Sequence, residues 1–276
     1  MARNDVLIIG AGPSGLFAAA ELARHGVDVR LIEQEARPHH EARATAIQPG
    51  TLEILDSVGL LPPFLESSEH VRRVRVYGPD MSELSALDFE GIDCRCEFQC
   101  SLPQYETQRI LETHLSSLGG VVERGSRQRR WTRMRDGVLV ELVHADGVET
   151  VHPDVVIGAD GAHSVTRQSM SEPLEGTTYQ GHFLVADIAM QAPVPRDQGS
   201  FFCGPDGMML LAPLPGGAGS LSRTWKRGYR RYPTKTSPHA PRYASVGGVD
   251  PPTSPGSRRF GCTGGSSPAW RPASAS

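Results

Sequence analysis

The sequence predicts a doubly wound α/β fold, and three observations carry that expectation. A short apolar, β-branched run, Val6-Leu7-Ile8-Ile9, ends in the glycine pattern Gly10-Ala11-Gly12-Pro13-Ser14-Gly15. A helical stretch from Leu16 to His25 follows and is closed by Gly26 as its C-terminal cap. A second strand-like run, Val27 to Glu33, completes a βαβ unit of about thirty residues. Continuous apolar strands of this kind suit a parallel sheet covered on both faces.

The remaining elements follow in order. Ile47 to Leu60 is expected to be helical, because Leu52, Leu55 and Val58 share a face. Val71 to Tyr77 alternates imperfectly, as a strand. Gln104 to Leu118 places Ile110, Leu111, His114, Leu115 and Leu118 at helical spacing, and Gly119-Gly120 ends it. Val121-Val122 then opens a strand. Val138 to Val143 and Glu149 to His152 flank Asp146-Gly147, the pattern of a β-hairpin. Val155-Val156-Ile157 is another short buried strand, running into Gly158-Ala159-Asp160-Gly161. Phe183 to Ile188 and Met208 to Leu211 read as strands of a second layer. No repeat of fixed period occurs.

Composition narrows the function classes. The 276 residues, 38% of them hydrophobic, suit one large α/β unit or two small domains. No apolar run approaches the ~18 residues of a membrane span. The chain enters an apolar run of only four residues after Met1-Ala2-Arg3-Asn4-Asp5, so no secretory leader is expected. A net charge of −3 argues against a nucleic-acid or membrane-surface binder. Five cysteines, an odd number, do not form a disulfide framework, and the expected compartment is the reducing cytoplasm. Cys94-x-Cys96-x3-Cys100 lacks a matched second pair and reads as buried or loop thiols, so no metal site is expected. His39-His40 are read as lining a cofactor's adenine side or facing solvent.

The glycine loop carries the chemistry. Gly10 permits the tight turn from strand to helix, Gly12 lets the backbone approach a pyrophosphate, and Gly15 allows close packing of helix on strand. The helix starting near Pro13 and Ser14 presents unpaired N–H groups and its positive dipole end to the phosphates. Glu33 lies 23 residues beyond Gly10, at the end of the second strand, where an acid accepts hydrogen bonds from a ribose diol. A dinucleotide site follows, FAD and NAD being left open by this loop.

Val155-Val156-Ile157-Gly158-Ala159-Asp160-Gly161-Ala162-His163-Ser164-Val165-Thr166-Arg167 resembles the "DG" motif of group A flavoprotein monooxygenases, the para-hydroxybenzoate hydroxylase-like aromatic hydroxylases. Arg43 to Leu55 resembles that family's helix after the second strand, and Leu102-Pro103-Gln104 resembles its glutamine position at a helix start. The resemblance covers about residues 4–215. It implies a Rossmann-like FAD domain over 1–69 and 104–180, and an antiparallel, partial substrate domain over 70–103 and 181–215. It implies that Gly10, Gly12, Pro13, Ser14, Gly15, Glu33, Arg43 and Gln104 hold FAD. Asp160 would touch the ribose–pyrophosphate region, in a loop also implicated with NAD(P)H. The implied reaction is hydroxylation of a phenol or polyketide-like aromatic by NAD(P)H and O2 through a flavin C4a-hydroperoxide. That step needs no acid–base triad, and no catalytic residue is singled out. The alternatives are a flavin oxidoreductase that inserts no oxygen and an inactive FAD-binding fragment.

One family feature is missing. The chain has no Gly-Asp dipeptide, so the loop beneath the flavin's ribityl chain and the strands closing the substrate pocket are expected to be absent. From Ser220 to Ser276 there are ten Lys or Arg against one acid, Asp250, and only four of Leu, Ile, Val or Phe. Such a stretch builds no core, and residues 220–276 are expected to be a disordered or frame-shifted tail. A partner-binding basic tail is the rival reading.

Overall fold

The opening run forms β1 (Val6–Ile9), buried at every residue. The computed structural model describes residues 4–38, 44–177, 182–189, 195–205 and 207–225. After β1 comes α1 (Pro13–Arg24), with Pro13 in its first turn, where a missing N–H costs nothing. The helix ends in a Schellman motif. Gly26, at φ +76°, donates to the Ala23 carbonyl, and Val27 donates to that of Leu22. The chain returns as β2 (Val29–Glu33), then β3 (Ala46–Ile47), α2 (Pro49–Ser57), α3 (Leu61–Glu66), β4 (Glu69–Val71), β5 (Arg73–Tyr77), β6 (Glu83–Asp88) and β7 (Gln99–Ser101). It continues through α4 (Gln104–Ser117), β8 (Val122–Arg124), β9 (Arg127–Met134), β10 (Gly137–His144), β11 (Gly147–Val151), β12 (Val155–Gly158) and α5 (Val165–Ser169). Four strands close the described chain: β13 (His182–Ala189), β14 (Gln198–Gly204), β15 (Gly207–Leu214) and β16 (Ala218–Trp225).

Contacts group the described residues of Met1–His40 and Tyr105–Thr178 in one unit, and those of Glu41–Gln104 and Tyr179–Ser266 in another. Residues 44–69, expected with the first, group with the second. In the first unit a parallel sheet has the order β12-β1-β2-β8. One face packs on an antiparallel sheet, β11-β10-β9, where Leu7, Ile9 and Ile32 share a core with Val140, Leu142 and Val151. Ile8 and Leu31 alternate to the opposite face and are also buried. There α1 packs on β1 and β2, burying Leu16, Ala19 and Ala20.

Polar residues tie the rim of this unit. Arg30 donates to both oxygens of Glu123 on β8 (2.7 and 2.8 Å) and both of Glu149 on β11 (3.0 and 2.7 Å). Arg30 holds the Glu149 carboxyl below the ordinary range against the opposing effect of burial. Because Glu123 and Glu149 each keep 36% of their side-chain exposure, the pairs are partly screened. Arg30→Met, which keeps the stem and deletes the fork, is expected to cost about 1–2 kcal/mol in urea unfolding at neutral pH. A wild-type midpoint in the variant would contradict this.

The second unit holds a six-stranded sheet, β13-β16-β15-β14-β5-β6, in which only the β14–β5 pairing is parallel. A small sheet, β3-β7-β4, lies with α2 and α3 in the same unit, whose core includes Phe64, Leu52, Val71, Cys100, Leu102 and Leu214.

Several expectations are corrected. The helix expected over Ile47–Leu60 begins only at Pro49, because Ile47 pairs with Cys100 in the small sheet. It stops at Ser57, since Gly59 turns the chain at φ +76° into α3. The strand expected over Val71–Tyr77 breaks at Arg72, whose N–H donates to the Asp197 carbonyl as the chain passes from the small sheet to the large one. Among the strands that lacked a sequence signal are β6, β7, β9 and β14. In β9, Arg127, Arg129, Arg130 and Arg133 hide the alternation, and Arg129 sits where the register shifts. In β14 the buried Gln198 and Ser200 are satisfied by each other and by Tyr77.

The limit expected at Gly219 is also displaced. β16 runs to Trp225 between β13 and β15, and Ser220 is buried. Backbone pairing on both edges carries a strand whose composition has little apolar content. Residues 226–276 lie outside the described residues. Among the described residues no helix is long and apolar enough to cross a membrane.

Candidate dinucleotide site

The loop after β1 is held between its two neighbours. The Gly10 N–H donates to the Ile32 carbonyl on β2, and the Ala159 N–H, just past β12, donates to the Ile9 carbonyl. Gly10 adopts φ +100°, and a Cβ there would stand 2.5 Å from the Ala159 carbonyl oxygen. A Cβ on Gly15 would lie 1.9 Å from the Gly10 oxygen, so only hydrogen fits where α1 crosses the loop. Gly12 differs: its φ is −69°, and a Cβ would meet nothing within 4 Å. The first two glycines named serve the fold; the third keeps a surface clear.

That surface is the start of α1. Gly12 caps the helix without a side chain, no acid occupies the first turn, and Ser14 is exposed. The first-turn amides and the positive helix end are therefore open to an anion. Glu33, half-buried at the end of β2, points at the same loop: Oε2 accepts from the Ala11 N–H at 2.8 Å and Oε1 from the Glu35 N–H at 3.0 Å. The carboxylate is thus fixed in direction beside the open helix end.

Asp160 also reaches this loop, because the position a Gly10 Cβ would take is 2.9 Å from the Asp160 Cα. Its carboxylate organises its own segment. It accepts from Ser164 Oγ at 2.5 Å, from the Thr166 N–H at 3.0 Å and from Thr166 Oγ1 at 3.1 Å. Burial pushes its pKa up, but these hydrogen bonds outweigh burial and hold it below the ordinary carboxylate range. Ser164 Oγ in turn accepts from the Arg167 N–H, capping α5.

The structure therefore brings Gly10, Gly12, Pro13, Ser14, Gly15, Glu33 and Asp160 together in the first unit. Gln104, half-buried, opens α4 and groups with the second unit. Arg43 lies outside the described residues, as do His39 and His40. Sequence reasoning missed Ala11, whose amide aims Glu33, and the Ser164–Thr166 pair that binds Asp160. Ser164 carried a usable signal, being a serine just ahead of a helical stretch. Ala11 carried none, since a main-chain donor is available from any residue but proline.

Cys96 and Cys100 are buried and Cys94 half-buried; burial raises all three thiols, which stay protonated at neutral pH. Among the described residues no group of three or more His, Cys, Asp or Glu could hold a metal.

A buried parallel strand, a glycine turn, an open helix end and a carboxylate closing the next strand define a dinucleotide-binding α/β protein. The chain belongs to the FAD binding domain family, whose model matches residues 3–239. It is 32% identical over 215 residues to the uncharacterized aromatic compound monooxygenase YhjG of Bacillus subtilis (strain 168), covering 78% of this chain and 42% of that one. Pentachlorophenol 4-monooxygenase of Sphingobium chlorophenolicum is 29% identical over 215 residues, covering 76% and 40%. Among solved structures, p-nitrophenol 4-monooxygenase PnpA from Pseudomonas putida DLL-E4 superposes with a TM-score of 0.78 over 83% of this chain and 59% of that one; at 20% identity this is a likeness of fold. The chain spans about two fifths of the length of the curated relatives it matches.

Proposed function

We propose that this chain binds FAD along the glycine loop and serves the hydroxylation of an aromatic substrate, a phenol or polycyclic polyketide, with NAD(P)H and O2. The observation that carries the reading is the open, uncapped start of α1 beside a carboxylate already aimed by the Ala11 amide. The first-turn amides would take the diphosphate, and Gly12 would give it room. Glu33 would accept from the ribose diol, Arg43 would neutralise phosphate charge, and Gln104 and Asp160 would contact the nucleotide. Bound flavin supplies the redox chemistry; the chain's part is to position it and exclude water. In this reading residues 1–69 and 104–180 carry the cofactor and residues 70–103 and 181–215 the substrate, inside the cytoplasm. The aromatic substrate class is supported by the names of the relatives.

Purified protein should be yellow and release FAD on denaturation. NAD(P)H consumption should rise with a phenol from a panel and yield hydroxylated product. Peroxide without product would point to a flavin oxidase, and colourless protein unaffected by FAD in melting would overturn the cofactor reading. Glu33→Ala and Arg43→Ala should each weaken FAD binding by roughly 1–3 kcal/mol, and unchanged titration curves would contradict their roles. For residues beyond Trp225 we propose a frame-shifted reading of a GC-rich gene. Sequencing the coding DNA tests it: early stop codons in the alternative frame would reject it.

A further inference from the structure

We infer that Ser126, His144 and Glu149 are positioning residues for the nucleotide's ribose, acting through the strand end that carries Glu33. The inference rests on the role proposed above for Glu33. Gly125, at φ +71°, turns the chain out of β8, and the next N–H, that of Ser126, donates to the Glu33 carbonyl at 3.0 Å. Ser126 is buried, and its Oγ lies 2.7 Å from His144 Nδ1 on β10. His144 Nε2 lies 3.1 Å from Glu149 Oε2 on β11. An ionised carboxylate only accepts, so in the neutral imidazole Nε2 carries the proton and Nδ1 accepts from the Ser126 hydroxyl.

The chain of bonds closes on itself. Glu149 is gripped by both terminal nitrogens of Arg30, which stands on β2 three residues before Glu33. Arg30 also grips Glu123, three residues before Ser126 on the other side of the ring. Five side chains on four neighbouring segments thus tie the main chain of Glu33 from two directions. With that main chain held, the Ala11 and Glu35 amides suffice to aim the carboxylate.

Stability alone does not call for such a ring. Around it the two sheets of this unit meet through Leu7, Ile9, Ile32, Val140, Leu142 and Val151. Apolar filling of similar volume generally stabilises as well as a partly buried ion network, which carries a desolvation cost. What a closed polar ring adds is one defined geometry, here beneath the residue proposed to read the ribose.

The test uses the full chain freed of nucleotide, with ADP and 2′,3′-dideoxy-ADP as probes in calorimetric titration. The second probe keeps the diphosphate and lacks the ribose hydroxyls. Wild type should prefer ADP by about tenfold, the worth of one charged hydrogen bond. Glu33→Ala should abolish the preference. Ser126→Ala and His144→Phe should each cut it to about threefold or less, and Ser126→Thr, which restores a hydroxyl, should recover it. Full preference retained in Ser126→Ala and His144→Phe, with none in Glu33→Ala, overturns the inference and leaves the Glu33 reading standing. Equal weakening of both probes marks a structural role and also overturns it. Preference retained in Glu33→Ala overturns the Glu33 reading, and the inference with it. Should Ser126→Ala fail to fold, His144→Phe and His144→Gln decide between the same outcomes.

Discussion

Replacing Gly12 by serine is expected to leave the melting temperature unchanged or slightly raised while FAD affinity falls at least about tenfold. The backbone there is extended, at φ −69° and ψ 176°, and open space surrounds the missing Cβ. Serine is a favoured N-cap, worth roughly a few tenths of a kcal/mol over the glycine that caps α1 here. Its hydroxyl would accept from the first-turn amides that the diphosphate is proposed to use, so fold and ligand respond in opposite directions. Gly15→Ala should behave in the reverse way. Its Cβ would overlap the Gly10 carbonyl oxygen at 1.9 Å, with the Ala159 Cβ at 3.2 Å. Main chain cannot swing aside as a flexible side chain can, so about 3 kcal/mol of stability is expected to be lost. Thermal unfolding with and without FAD separates the two. A Gly12→Ser protein that binds FAD as wild type does would remove the diphosphate from this loop, and a wild-type melting temperature in Gly15→Ala would contradict the packing.

Asp160→Asn is expected to cost about 3 kcal/mol at pH 7. One carboxylate receives Ser164 Oγ, the Thr166 amide and Thr166 Oγ1, and an amide side chain offers only one accepting oxygen, so at least one of these bonds is lost or reversed along with the charge. The pH dependence has a definite sign. Despite burial, the folded-state pKa is depressed by these hydrogen bonds. Its contribution is therefore complete above the unfolded carboxyl value of about 3.9 and disappears as the pH falls through the folded value. The stability gap between wild type and Asp160→Asn should stay constant from neutral pH to about pH 5 and narrow in stronger acid. A gap that widened in acid would reverse the assignment. Loss of the α5 start should accompany the substitution, because Ser164, which caps α5, is tied to Asp160.

The βαβ opening was legible because local rules decide it. A continuous apolar strand is buried on both faces, three glycines have distinct steric tasks, and an acid closes the second strand. The chemistry of a diphosphate site is largely main-chain chemistry, which a glycine pattern reports directly. The hairpin around Asp146-Gly147 was legible for the same reason, its turn residues being adjacent in sequence. β6 is exposed at every position and β9 is crowded with arginine, so neither shows a two-residue hydrophobic period. Both exist because a neighbouring strand offers a hydrogen-bonding edge, β5 to β6 and β10 to β9.

By itself, then, the order of residues determined the opening βαβ unit, the turn that shapes the nucleotide loop and the acid set beside it. These depend on contacts within a few dozen residues and on backbone conformations only glycine adopts freely. Tertiary structure alone decided that Ile47 belongs to a strand, that a serine- and arginine-bearing strand reaching Trp225 lies inside a sheet, and that Ser164 and Thr166 claim the Asp160 carboxylate. Each of those outcomes is a pairing whose partner, even the one only four residues away, is chosen by packing geometry, and composition does not record which partner a polar group meets.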